Sequence, residues 1–309
     1  MKPNVLFVSP PVKNCGIYQF GLNVWANLVV GNECSFTYAD PKDMQDLIDA
    51  VRLRESKAVI YNWYPGTMPC LMDAQTTVLK LRDMGVKQIH LYHEFPCGGF
   101  DAYLYSDPTE ANHDNHFFFG RPIPSYNGPK TINTIPTIGS AGFGFDNKGY
   151  DSLVRRVTEE FDEVIINLHM PNAHYGDRNG AITSRIASEC RTMAASSRKR
   201  ITLNISHQFM ERDEYMRHLA ANDINCYFYR GGNGISSSVD DAMATGRPIA
   251  ITSNPMMKHL LKCNPSICIE DLSLKQILAN GTAPLAPTLE ASKRENILEA
   301  IEKCVLSLL

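Results

Sequence analysis

Short apolar runs alternate with longer amphipathic runs along most of this 309-residue chain. The short runs have the length and composition of buried strands, and the longer runs have the apolar spacing of helices that cover a sheet. In the first part of the chain the predicted strands are residues 4–9, 33–39, 57–63 and 87–94, with helices between them. Such alternation is typical of α/β proteins with a mostly parallel sheet.

The alternation lapses once, in residues 106–135, which are rich in Asn, Pro and Asp. It then resumes, and the last segment, residues 289–309, predicts one long helix. We therefore expect two successive α/β domains, residues 1–130 and 131–285, followed by residues 286–309. The predicted strands of the second domain are residues 134–143, 163–170, 200–206, 224–230 and 247–253.

Composition and charge give no sign of a nucleic-acid track, a signal peptide, a membrane span or a zinc site. The net charge is −3 and the densest basic run, residues 198–200, is too short to indicate a nucleic-acid track. The N-terminal segment has a short apolar run followed by prolines, unlike a signal peptide, and no run approaches the roughly 18 apolar residues of a membrane span. Nine cysteines are scattered without Cys-x-x-Cys spacing, which argues against zinc and favours reduced thiols in a cytoplasmic protein.

Polar and aromatic residues follow two predicted strands of the first domain, where ligands of doubly wound sheets bind. Asn62, Trp63 and Tyr64 end the third strand, and their aromatic rings suit either stacking on a sugar or base or the edge of a core. His93 and Glu94 end the fourth strand. A histidine there can act as a base or orient a hydroxyl, or the pair can simply be solvated.

Two glycine-containing loops offer backbone that a ligand can approach. Gly16 lies between the first strand and its helix, and is either a ligand-facing position or an ordinary turn glycine. Lys148 follows several glycines at the start of a helix, where it can hold a diphosphate or remain a surface lysine. This loop has neither the Walker sequence nor the dinucleotide-binding sequence.

The loop after the strand that ends at Arg230 is the richest of the chain. Glycines follow Arg230, and residues 236–238 are three serines that begin a helix. Free N–H groups, hydroxyls and the helix dipole favour an anion site, although serines also cap helices without any ligand. Asp241, one turn into the helix, suits a ribose diol.

The chain carries four motif-like segments in this order: CGIYQFGLNVWANL, LYHEFP, GFGFDNKGYDSLVRRV and GGNGISSSVDDAMATGRPIAIT. Together they resemble the motifs of retaining GT-B glycosyltransferases, above all family 4. The resemblance covers about residues 5 to 255. It implies an α/β protein with two Rossmann-like domains whose parallel sheets face a central cleft. It also implies a C-terminal helix that packs back on the first domain.

The resemblance implies a nucleotide-sugar on the second domain and an acceptor on the first. Lys148 corresponds to the phosphate-binding lysine, and Asp241 to the second Glu of the family, which binds ribose. Asn233 takes the place of the first Glu, near the donor sugar. His93 corresponds to the histidine that faces the donor sugar, and Gly16 to the loop glycine that covers the diphosphate.

Three positions depart from the family pattern. The first Glu is replaced by Asn233, and the second is shortened to Asp241. The arginine that the family has five residues before the lysine is Phe143 here. Arg230, which ends a neighbouring strand, is the candidate to supply that missing charge.

The sequence thus predicts a glycosyltransferase that moves a sugar from a nucleotide-diphosphate sugar to an acceptor, with retention and without a metal or other cofactor. The acceptor class, whether glycan, lipid, protein or nucleic acid, and the oligomeric state are left open. The alternatives are a non-catalytic nucleotide-sugar-binding protein, or another GT-B enzyme such as a sugar-nucleotide epimerase or a nucleic-acid-base glycosyltransferase. The predicted catalytic residues are His93, Asn233 and Asp241. The predicted donor-binding residues are Gly16, Lys148, Arg230, Gly234, Ile235, Ser236, Ser237, Ser238 and Asp241. The predicted acceptor-side residues are Asn62, Trp63, Tyr64, His93 and Glu94.

Overall fold

The chain forms two compact units. The computed structural model describes residues 1–12, 15–65, 67–71, 73–93, 98–173, 176–231 and 236–309. One unit is Met1–Pro122 together with Thr288–Leu309, and the other is Ile123–Pro287. Each unit has its own sheet and its own hydrophobic core.

The first unit is built on a parallel sheet. Its described strands are β1 (Asn4–Val8), β2 (Ser35–Ala39), β3 (Ala58–Tyr61), β4 (Lys87–Leu91), β5 (Ala102–Tyr105) and β6 (His116–Phe118). Their order in the sheet is β2-β1-β3-β4-β5-β6, and all the pairings are parallel. The first four strands confirm the predicted ones. The chain reverses direction across the sheet between β1 and β3, which makes this the topological switch point.

The strands β5 and β6 correct the sequence-based prediction, which placed no strand between β4 and the second domain. They have four and three residues, too few for a clear alternation of apolar and polar side chains. Their rings stack across the sheet, with centroids 5.2 Å apart for Tyr103 and His116 and 5.0 Å apart for Tyr105 and Phe118. Such cross-strand pairs stabilise strands that local sequence does not reveal.

Helices cover the first sheet. They are α1 (Gly16–Leu28), α2 (Met44–Leu53) and α3 (Ala74–Asp83). The carboxylate of Asp43 caps α2 by accepting a hydrogen bond from the N–H of Asp46, and Asp73 caps α3 in the same way. The buried side chains of α2 and α3 pack with those of β1 and β3 in one apolar cluster.

The second unit repeats this architecture. Its described strands are β7 (Thr137–Ala141), β8 (Glu163–His169), β9 (Arg200–Ser206), β10 (Ile224–Tyr227) and β11 (Ile249–Ile251). Their order is β11-β10-β7-β8-β9, with parallel pairing throughout. The five predicted strands of this half are therefore confirmed. The chain runs from β7 to one edge of the sheet and then crosses to β10, so the switch point lies between β7 and β10.

Six α-helices are described in the second unit. They are α4 (Tyr150–Glu160), α5 (Ala181–Ser196), α6 (Arg212–Ala220), α7 (Ser237–Ala244), α8 (Lys258–Cys263) and α9 (Leu274–Asn280). α7 ends abruptly because Gly246 adopts a left-handed φ of 63° and donates its N–H to the carbonyl of Met243. The chain then turns directly into β11.

The C-terminal segment returns to the first unit. It forms α10 (Ala286–Ala291) and α11 (Arg294–Leu308), so the prediction of one continuous helix over residues 289–309 is wrong. The chain comes so close to Gly120 that a Cβ there would lie 1.9 Å from the carbonyl oxygen of Ala291. The buried carboxylate of Glu302 accepts hydrogen bonds from the N–H groups of Glu33 and Cys34 at 2.8 and 2.9 Å.

Candidate functional site

The switch point of the second sheet brings two loops together at the carboxyl ends of β7 and β10. Gly142 follows β7, and Tyr229 lies two residues beyond the end of β10. A Cβ on Gly142 would lie 3.9 Å from both the Cε of Lys148 and the hydroxyl of Ser238. Lys148 and Ser238 therefore converge on this position, where doubly wound proteins bind their ligands.

Lys148 reaches this position through a tight turn. The turn Asp146–Lys148 ends at Gly149, whose φ is 65° and whose Cβ, if present, would lie 2.0 Å from the carbonyl oxygen of Phe228. Only glycine fits there, and it lets the start of α4 pack directly on the chain after β10. The ammonium group of Lys148 lies 3.9 Å from the ring centroid of Tyr229, so its positive charge rests on an aromatic face.

The start of α7 forms the other side of the same position. Ser236 occupies the N-cap of α7, but its side chain makes no capping hydrogen bond to the helix. Its hydroxyl instead lies 2.8 Å from the hydroxyl of Tyr229. The serine-as-cap alternative therefore does not describe this helix. Ser237 and Ser238 lie in its first turn, where helix N–H groups and the helix dipole favour an anion.

Arg230 is close to this site but is paired. Its guanidinium contacts the carboxylate of Asp151, and it donates a hydrogen bond of 2.6 Å to the hydroxyl of Ser152. Both partners belong to the first turn of α4. Its positive charge is thus offset by a carboxylate, whereas that of Lys148 is in contact with a ring. The predicted role of Arg230 in binding the donor stays a prediction.

Asp241 is buried and is also paired. Its carboxylate lies 2.7 Å from the guanidinium of Arg212 at the start of α6, and the Asp241 side chain is 4% exposed. A ribose would therefore meet an acid already engaged by an arginine, and ribose binding by Asp241 stays a prediction. Asn233, Gly234 and Ile235 lie outside the described residues, as does Glu94.

In the first unit, the switch point between β1 and β3 holds a chain of hydrogen bonds. Asn62, which follows β3, is fully buried, and its amide nitrogen lies 2.8 Å from the hydroxyl of Ser9 and 2.7 Å from the carbonyl of Ile17. Its amide oxygen lies 2.7 Å from the Nε2 of His93, which follows β4. The ends of three strands are linked through one amide. The predicted acceptor-side residues Asn62 and His93 are thus in direct contact.

The electrostatics of His93 follow from its surroundings. Its side chain is 6% exposed, and the edge of Phe20 packs against it with ring centroids 5.1 Å apart. Burial, together with the nearby His90, lowers the pKa of His93 to about 3. The imidazole is therefore neutral at pH 7 and can accept a hydrogen bond, whereas so low a pKa makes it a weak base.

The other predicted residues of the first unit differ in exposure. Trp63 is 8% exposed and packs against His90 and Phe100, which favours the core-edge alternative over ring stacking on a ligand. Tyr64 is partly exposed and forms a turn with Thr67. Gly16 is exposed at the start of α1, and no atom of the described residues lies within 4 Å of the position of a Cβ added there. The described part of the chain therefore does not require glycine for space at this position.

The structure adds side chains that the sequence did not single out. Tyr229 contacts Lys148, Arg212 contacts Asp241, and Ser9 contacts Asn62. Ser9 directly follows β1, so its strand-end position was a usable signal. Arg212 lies 29 residues before Asp241, and no local pattern relates the two.

A cavity of about 360 Å³ lies at the opposite end of the second sheet. It is lined by residues that precede β7, β10 and β11, among them Asn133, Asp223 and Arg247. These three bond to one another and to backbone carbonyls. Because the cavity lies at the amino ends of these strands, it is separate from the carboxyl-end site.

Among the described residues, no three His, Cys, Asp or Glu side chains are grouped so that they could hold a metal ion. In the same part of the chain, no helix combines the length and apolar character that crossing a membrane requires. The cysteines described in the structure are free thiols. Reaction without a metal stays a prediction.

The fold matches solved structures over the whole chain. A glycosyltransferase from Rickettsia africae matches with a TM-score of 0.65 and 9% identity, covering 99% of this chain and 98% of its own. The Anabaena protein Alr3699/HepE in complex with UDP and glucose matches with a TM-score of 0.66 and 10% identity, covering 99% and 100%. The trehalose-6-phosphate synthase OtsA matches with a TM-score of 0.64 and 9% identity, covering 99% of both chains.

The chain has the GT-B fold. No protein-family model matches the sequence, and no curated protein matches it. At about 10% identity, similarity of structure establishes the fold and leaves the chemistry to be argued from the site.

Proposed function

We propose that this protein is a glycosyltransferase that transfers a sugar from a nucleotide-diphosphate sugar to an acceptor. The observation that supports it best is the convergence of Lys148 and Ser238 on Gly142 at the switch point of the second sheet. A cation and the first turn of a helix in this position suit a diphosphate. The similar Anabaena protein, whose structure contains UDP and glucose, is consistent with such a donor.

In the proposed reaction, the bond between the anomeric carbon and the diphosphate oxygen breaks and its electrons leave with the nucleoside diphosphate. The oxygen of an acceptor hydroxyl forms the new bond to the anomeric carbon, and its proton is released to water. Lys148 and the N–H groups at the start of α7 stabilise the negative charge that develops on the leaving group. Retention of the anomeric configuration, and similarity to family 4 in mechanism, belong to the proposal and rest on the four ordered motifs.

A non-catalytic nucleotide-sugar-binding protein is the second candidate. The replacement of the family's first Glu by Asn233 favours it, because an amide cannot act as the acid or base that a carboxylate provides. Under either candidate the free thiols of the described cysteines support a cytoplasmic location.

A melting-temperature screen tests the donor proposal. We expect at least one member of a panel of uridine, guanosine, adenosine and cytidine diphosphates and their glucose conjugates to raise the melting temperature, because a ligand of the native state stabilises it. No shift with any member would contradict the proposal.

Release of free nucleotide separates the two candidates. We expect the nucleotide-glucose conjugate that binds to be hydrolysed slowly, and to transfer its glucose when an acceptor is added. Either reaction is measured as release of free nucleoside diphosphate. Binding without release across varied acceptors would favour the binding protein. The anomeric configuration of the first product, measured by NMR, tests retention.

A further inference from the structure

The buried side-chain amide of Asn62 contacts the ring of His93 in the first unit. We propose that Asn62 is a positioning residue that holds the neutral ring of His93 with its proton on Nε2, which leaves Nδ1 as the accepting atom of the ring. This inference rests on the proposed function. It concerns atoms within one unit, and its evidence is the direction of each hydrogen bond around Asn62.

The orientation of the Asn62 amide is determined by its neighbours. One atom of the amide lies 2.7 Å from the carbonyl oxygen of Ile17, and a carbonyl oxygen only accepts hydrogen bonds. That atom is therefore the nitrogen. Its second hydrogen is directed to the hydroxyl of Ser9, at 2.8 Å. The amide oxygen is consequently the atom that faces His93.

The protonation of the ring follows from that orientation. The oxygen of Asn62 lies 2.7 Å from the Nε2 of His93, and an amide oxygen can only accept. Nε2 therefore carries the proton. A neutral ring with its proton on Nε2 has its lone pair on Nδ1, so His93 is an acceptor at Nδ1. The buried ring, 6% exposed, stays neutral under ordinary conditions.

The fold protects this arrangement. Asn62 is 0% exposed, and its backbone N–H donates to the carbonyl of Val8 at 2.8 Å. A Cβ at Gly21 would lie 2.2 Å from the amide nitrogen of Asn62, so only glycine allows α1 to pack on it. The amide thus joins the ends of β1 and β3 to the start of α1, with no freedom to rotate.

The first test is spectroscopic and uses the wild-type protein. Protein labelled with ¹⁵N in its histidines is examined by long-range ¹H–¹⁵N NMR, and the His93 signals are assigned with the variant His93→Gln. We expect the pattern of a neutral ring protonated on Nε2. A ring protonated on Nδ1, or a mixture of the two tautomers in the wild-type protein, would overturn the inference.

The second test uses Asn62→Ala, with Tyr61→Phe as the matched control. Tyr61 is the adjacent residue and is also buried, and the change removes its 2.6 Å hydrogen bond to Gln88. We expect Asn62→Ala to give a mixture of His93 tautomers and to lower kcat by roughly tenfold or more, with a much smaller change in KM for the donor. The control is expected to keep the single tautomer and the wild-type kcat.

The outcomes separate this inference from the proposed function. A folded Asn62→Ala protein with an unchanged tautomer and kcat contradicts the positioning role. Wild-type protein that binds no member of the nucleotide panel contradicts the proposed function, and the wild-type tautomer still decides whether Asn62 holds the ring. If Asn62→Ala does not fold, the tautomer seen in the wild-type spectrum remains decisive.

Discussion

Lys148 and Arg230 carry the same charge in different surroundings. The ammonium of Lys148 lies on the ring of Tyr229, whereas the guanidinium of Arg230 is paired with Asp151. A ring face leaves most of a cation's charge available to an anion, while a carboxylate offsets it. Sequence alone identified both side chains but could not rank them, because the ranking depends on partners that are distant along the chain.

We therefore expect Lys148→Ala to weaken binding of UDP by roughly tenfold to a hundredfold, the loss of one charge-assisted contact. Arg230→Ala is expected to weaken it by less than about threefold, because its partly exposed ion pair contributes little. Titration calorimetry measures both. The control is Lys275→Ala, since Lys275 also lies over a ring, that of Phe161. Phe161 precedes β8, so this pair lies at the amino end of the strand and away from the site. Equal losses for Lys148→Ala and Arg230→Ala would support the sequence-based role of Arg230 instead.

At the scale of elements, the sequence predicted the strands with strong apolar runs and missed those stabilised by partners. β1, β7, β10 and β11 follow from buried apolar runs with turn residues beside them, and β9 follows from the alternation of its apolar and polar side chains. β5 and β6 depend on ring pairs such as Tyr103 with His116, which no local pattern reveals. The break between α10 and α11 likewise has no proline or glycine to mark it.

The same limit applies to the candidate site. Strand-end positions identified Asn62 and His93, and the glycine-rich loop after a strand identified Lys148, because parallel strands present their carboxyl ends to a ligand. The hydrogen bond between Asn62 and His93, and the pairing of Asp241 with Arg212, join residues 31 and 29 positions apart. Such contacts depend on which strands and helices become neighbours, and that information lies in the topology.

The contact between β8 and α6 predicts a pH dependence of stability. Burial, with additional contributions from the neighbouring His218 and His207, lowers the pKa of His169 to about 4. Because the folded pKa lies below the unfolded value of about 6.5, this stabilisation is complete above pH 6.5 and is lost as the pH falls toward 4. The full effect for His169 is roughly 3 kcal/mol.

We expect the free energy of unfolding to fall between pH 6.5 and 4, and His169→Gln to make that fall shallower. His90, His93 and His218 have pKa values lowered in the same direction, so the difference between variant and wild type isolates His169. Urea unfolding at several pH values measures it. The exposed His113, changed to Gln, is the control. Parallel pH curves for His169→Gln and wild type would show that His169 is not buried in solution.

At the scale of the whole molecule, residues from both ends of the chain complete the first unit. α11 packs on it through Ile297, Ile301 and Val305, which are fully buried. The carboxylate of Glu302 adds hydrogen bonds from two consecutive N–H groups before β2. Burying a carboxylate is costly unless hydrogen bonds compensate its charge, and these two N–H groups provide that compensation. α11 is therefore part of the core of this unit.

Glu302→Ala is expected to destabilise the first unit by about 1–3 kcal/mol, because it leaves the N–H groups of Glu33 and Cys34 without their acceptor. Glu302→Gln keeps an accepting oxygen and should lose less. Both tryptophans, Trp25 and Trp63, belong to this unit, so tryptophan fluorescence in urea reports its unfolding selectively.

The control for Glu302 is Glu299→Ala, an exposed position on the same helix with the same loss of charge. We expect its fluorescence midpoint to match that of the wild type, with Glu302→Gln between it and Glu302→Ala. The slope of the transition should stay constant across the series, because the surface exposed on unfolding is the same. A midpoint for Glu302→Ala equal to that of Glu299→Ala would mean that α11 contributes to the first unit by apolar packing alone.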